Sequence, residues 1–170
     1  MSKAFTRESD DADDQPLPAR PNRNLPAGAK NYFTEAGAQQ FRADLERLIQ
    51  LERPALPVSG DGGETKRQFQ IIDQRIRQMQ ESLESAIVVP RPPPPWDQVK
   101  FGATVTVREA GGMQERYRIV GIDEADSDRD WVSWCSPIAR ALLNARLSQR
   151  VRLRVPVGER ELEIVAISYE

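Results

Sequence analysis

A chain of 170 residues with 39% hydrophobic residues, a net charge of −2 and no histidine is sized for one ordinary domain or two small ones. It lacks the commonest general base and zinc ligand, which excludes Cys-His and Ser-His catalysis within one chain, and it is too nearly neutral for a generic polyanion binder. No apolar run approaches the ~20 residues of a membrane span, the stretch from Met1 to Asp14 has no signal-peptide core, and the single Cys135 leaves no internal disulfide, so a reducing, cytoplasmic setting is expected.

Residues 1–30 carry an acidic cluster (Asp10, Asp11, Asp13, Asp14) followed by Pro16, Pro18 and Pro21. With few large apolar side chains this stretch is expected to stay a disordered, solvated tail. Thr34 is the predicted N-cap of a first helix, with Glu35 and Ala36 in its first turn. Ala38, Phe41, Leu45 and Leu48 then form a heptad seam, and Pro54 is expected to end the helix. The turn PALPVSGDGG (54–63) leads to a second helix near Glu64. There Phe69, Ile72, Ile76, Met79, Leu83 and Ala86 repeat at alternating spacings of three and four. Two such seams joined by a short loop predict a projecting antiparallel coiled-coil hairpin over 31–88, with its tip near 58–64.

The proline-rich run over 89–96 is expected to be a stiff extended linker. From Phe101 the period falls to two, which predicts strands. Val105 and Val107 alternate with Thr104, Thr106 and Arg108; Gly111-Gly112 turns; Tyr117 and Ile119 lie on a returning strand. Residues 131–134 are expected to form a third strand, with Trp131 and Trp134 on opposite faces and at least one of them exposed. Pro137 opens a short helix through Leu143. Val151, Leu153 and Val155 alternate with Arg150, Arg152 and Arg154; Gly158 turns into a last strand through Leu162, Ile164, Ala166 and Ser168. The fold class is therefore α+β: a helical hairpin plus a small antiparallel β-rich domain over 97–170 with one short helix.

Four features bear on function. Asp61 and Glu64, in Gly60-Asp61-Gly62-Gly63-Glu64, can face one side of a first helical turn, and hard carboxylate oxygens suit Mg²⁺. The same residues also fit an ordinary turn with acids complementing a helix dipole. Ser136 and Pro137 fit a helix cap and first position. Asp123, Glu124, Asp126, Asp128 and Asp130 form an acidic stretch, and Arg146, Arg150, Arg152 and Arg154 a basic one; each is read first as a solvated face, the basic strip alternatively as facing nucleic acid or an acidic protein surface.

Several strings together resemble one family. FGATVTV (101–107), YRIVGIDEAD (117–126), SPIARALL (136–143) and ELEIVAISY (161–169) are similar, in order and spacing, to the C-terminal domain of the Gre transcript-cleavage factors. YFTEAG (32–37), Glu52-Arg53-Pro54 and IDQRIR (72–77) resemble their N-terminal hairpin, closer to the GreB branch. The resemblance implies an FKBP-like C-terminal domain that docks on bacterial RNA polymerase at the rim of the secondary channel. It also implies a coiled coil that enters the channel, and tip acids that help hold a polymerase Mg²⁺ while the polymerase hydrolyses backtracked RNA. On this reading Asp61 and Glu64 are the shared metal-facing pair. Cys135, Ser136, Pro137 and Arg140 face the polymerase, with Cys135 where the family often has an acid. The chain would be a monomer without catalytic machinery or a stably bound cofactor of its own. It would meet the RNA 3′ end and DNA only inside the elongation complex.

The chain departs from the family pattern in reach. Each hairpin arm is about one heptad shorter, which at ~1.5 Å per residue withdraws the tip by ~10 Å. A non-catalytic channel binder that competes with full-length Gre factors, or modulates initiation, is therefore the alternative. A prolyl isomerase would need an aromatic-lined pocket, and Trp96, Phe101, Tyr117, Trp131, Trp134 and Tyr169 show no such pattern.

Overall fold

The computed structural model describes residues 25–56, 62–156 and 158–170. The tail before residue 25 and Asp61 lie outside the described residues. The first element is a strand, β1 (Asn31–Thr34), and it leads directly into helix α1 (Glu35–Arg47). Thr34 is the N-cap, its Oγ1 accepting from the Gly37 N–H at 3.0 Å. The helical path does not stop at Pro54 as expected. A π-helical turn over Leu48–Glu52 runs into a short helix α2 (Arg53–Ala55). Arg53 N–H bonds the Leu48 carbonyl five residues back, and Pro54, which has no N–H to donate, follows directly in the first turn of α2.

Helix α3 (Gly62–Glu84) returns along α1. Asn31 at the near end meets Ser82, and Arg53 at the far end meets Asp73, so the arms are antiparallel. Ala86 does not close the helical seam as expected. It opens strand β2 (Ala86–Val89), which pairs in parallel with β1 from Asn31↔Ala86 to Thr34↔Val89. The β-branched run Ile87-Val88-Val89 favours extended backbone once a partner strand lies beside it. The stalk thus stands on a two-stranded sheet.

The body is a five-stranded sheet in the order β5-β4-β3-β7-β6. Its strands are β3 (Ala103–Glu109), β4 (Gln114–Val120), β5 (Trp131–Ser133), β6 (Arg150–Val155) and β7 (Gly158–Tyr169). Helix α4 (Pro137–Leu142) covers the inner face. Val105, Val107, Ile119, Leu162 and Ile164 are fully enclosed there with Ala139 and Leu142 of α4.

One pairing departs from the antiparallel expectation: β5 runs parallel to β4, Arg118↔Trp131 to Val120↔Ser133. Residues 121–130, with a 3₁₀ turn over Ser127–Arg129 and a left-handed Asp130 (φ 56°), carry the chain back to the start of the pairing. Since β5 ends at Ser133, Trp134 is not a strand residue, and neither tryptophan is exposed. Arg118 and Arg129 lie over the Trp131 ring, at 4.6 and 5.3 Å. Among the described residues no helix is long and apolar enough to cross a membrane.

Candidate functional site

Glu64 lies in the exposed first turn of α3, with Gln68 Nε2 donating to its carboxylate at 3.3 Å. From Ser82 at the stalk base, eighteen helical residues place it ~27 Å away along the axis. Among the described residues no group of three or more acids or thiols is gathered as a cation site. Glu64 alone does not make one, since a cation needs several oxygen ligands. Among the described residues the outermost polar tie between the arms is Arg53, whose Nε and Nη2 donate to the two Asp73 oxygens at 2.6 and 3.2 Å, with the guanidinium 5.7 Å from the Phe69 ring centre. Hydrogen bonding from Arg53 holds the Asp73 carboxyl below its ordinary range and raises the Arg53 guanidinium in turn.

The second candidate region lies on the body. Ser136 caps α4, accepting from the Ala139 N–H at 3.3 Å, and Pro137 takes the first position. Pro137 and Arg140 are exposed, while Cys135 and Ser136 are half-buried. The Cys135 thiol is in hydrogen-bond contact with Ser133 Oγ at 3.0 Å. Ala139 and Leu142 lock the other side of the helix into the core. The four residues therefore form one rigid, capped platform, and the fold does not bring Glu64 to it.

A joint between stalk and body has no counterpart in the expectations above. The Tyr32 ring from β1 meets Phe101 at 5.8 Å and Trp134 edge-on at 5.5 Å, next to the platform. Glu124 accepts hydrogen bonds from Thr34 N–H and Gly121 N–H, both at 2.9 Å, and from Thr34 Oγ1. Asp123 accepts from Ser82 Oγ on α3. Asn31 Nδ2 donates to the Ser82 carbonyl at 3.1 Å. The acidic stretch is thus partly a fastener rather than only a solvated face. Two of the four arginines of the basic strip pair with acids on the neighbouring strand: Arg150 with Glu161 at 3.1 Å and Arg154 with Glu159 at 3.5 Å.

Residues 93–169 match the family model described as "Transcription elongation factor, GreA/GreB, C-term". Transcription elongation factor GreB of Neisseria meningitidis serogroup A is 40% identical over 154 residues, covering 82% of this chain and 94% of that protein. The chain belongs to the GreA/GreB family. GreB of Pseudomonas aeruginosa is 37% identical over 150 residues, 81% of this chain and 89% of that one. The solved prokaryotic transcription elongation factor GreA/GreB from Nitrosomonas europaea aligns with 82% of this chain and 100% of its own, at 20% identity and a TM-score of 0.42.

In this Gre chain the joint residues each look ordinary in sequence, because their partners lie far away along the chain. One local signal existed. Thr34 reads as an N-cap, yet the position three residues on, where a capping box carries Glu or Gln, is Gly37.

Proposed function

We propose that the chain is a transcription elongation factor acting on bacterial RNA polymerase, in the cytoplasm. The body docks through the Ser136–Pro137 platform with Cys135 and Arg140, and the stalk passes into the secondary channel. The observation that carries this reading is a narrow, two-armed stalk beside a body that carries a rigid capped platform, in a chain 40% identical to a GreB. Glu64, with Asp61, would present carboxylate oxygens to the Mg²⁺ of the polymerase, and the hydrolysis of backtracked RNA would be the polymerase's chemistry. The RNA 3′ end and DNA are met only there.

The stalk also favours a second reading. A reach of ~27 Å from Ser82 to Glu64, with arms shorter than the family pattern, suits a factor that occupies the channel without touching the metal. Stalled elongation complexes separate the two readings. Cleavage of the backtracked transcript that falls on Asp61→Ala and Glu64→Ala supports assisted hydrolysis. Binding that displaces a full-length Gre factor, with no cleavage, supports occupancy alone. No binding to polymerase by the unaltered chain would sink both.

A further inference from the structure

We infer that Glu124 is a positioning residue: from the body it completes the N-cap of the stalk's first helix, and so sets the angle at which the stalk leaves the body. In a capping box the N-cap side chain accepts from the N–H three residues on, and an acid at that third position reaches back to the N-cap N–H. Here the first half is local, Thr34 Oγ1 accepting from Gly37 N–H at 3.0 Å. The second half cannot be local, because Gly37 has no side chain. Glu124, ninety positions away in sequence, accepts from the Thr34 N–H at 2.9 Å and from its hydroxyl.

Two glycines make the arrangement possible. A Cβ on Gly37 would overlap the Glu124 carboxylate, and a Cβ on Gly121 would collide with the Tyr32 carbonyl oxygen. The position that normally supplies the capping acid has thus been emptied to admit one from the other unit.

The neighbouring acid grips the other arm, Asp123 accepting from Ser82 Oγ near the end of α3. Ser82 is wholly buried and Asn31 nearly so, and Asn31 Nδ2 joins the arms through the Ser82 carbonyl and Oγ. Adjacent carboxylates on one turn therefore hold both arms. Hydrogen bonds from backbone and hydroxyl donors to a carboxylate are short, directional and stronger than neutral ones, so this joint resists bending as well as separation. A tilt at the base is amplified along a stalk of ~27 Å.

This role deepens the polymerase reading and rests on it for its consequence in transcription, but its geometry is tested in the free protein. Spin labels at Met113→Cys and Gln70→Cys, in a Cys135→Ser background, report the distance between body and stalk. The unaltered joint is expected to give one narrow distance distribution and Glu124→Ala a broad one.

The deciding variant is Gly37→Glu combined with Glu124→Ala, which restores a capping acid within α1 but leaves the stalk untied. Its melting temperature should return toward that of the parent while its distance distribution stays broad. In unlabelled protein Glu124→Ala should hold polymerase affinity within about threefold, while the stalk-dependent effect at saturating factor falls about tenfold or more, as expected for a misplaced tip. A narrow distribution in Glu124→Ala, or recovery of a narrow distribution in the double variant, would overturn the inference and leave Glu124 a simple helix cap. Absence of polymerase binding by the parent chain would instead count against the proposed function, with the distance result standing by itself.

Discussion

In the body, Ile119, Leu162 and Ile164 are completely enclosed and the sheet closes over them with α4. In the stalk, burial is confined to a few positions such as Ala38, Leu48 and Met79, while Leu51 and Ile71 are left exposed towards the far end. The stalk instead relies on polar ties, Asn31 and Ser82 at the base and Arg53 with Asp73 further out. Apolar burial is strong and largely indifferent to direction, whereas hydrogen bonds give less net stability and more definition of angle. A body that must persist and a stalk that must point are served by different interactions.

The largest effect should therefore come from the body. Ile119→Ala is expected to cost about 2–5 kcal/mol in denaturant unfolding, and Ile72→Ala, half-buried on α3, clearly less; equal losses would break the contrast. Next, Ser136→Ala removes the α4 cap and should cost about 1 kcal/mol. Because Ser136 also stands in the platform proposed to meet polymerase, affinity for polymerase should fall by more than the melting shift explains, and proportionate losses would make it a cap alone.

The smallest effect concerns the outer tie. Arg53 lowers the Asp73 carboxyl, so the contribution of the pair is present above the ordinary carboxylate range and is lost as pH falls through the depressed folded-state value. Both side chains are exposed, so amide exchange over 62–73 is the suitable measurement. Protection there should weaken at acid pH in the parent and be flatter with pH in Arg53→Met. Identical profiles would remove Asp73 from the account.

How much could be read in advance follows the range of the interactions. Thr34 and Ser136 are recognisable caps because their bonds close within three residues. The alternation of Val105 and Val107 with Thr104 and Thr106 marks β3 just as locally. By contrast, Asn31–Thr34 becomes a strand because Ala86–Val89 lies beside it, and the parallel placement of β5 depends on how residues 121–130 return. The candidate site divides in the same way. Ser136 and Pro137 are located by their helix signature, while Glu124 is one acid among several in sequence and gains its role only beside Thr34.

Residue types and spacings by themselves determined the helical and strand periods, the caps, the exclusion of histidine chemistry and, through the matched strings, the family. Tertiary structure alone decided which acids are solvated and which fasten stalk to body. A carboxylate has no preferred partner in sequence, and its role is set by the donors that the fold brings within about 3 Å of it.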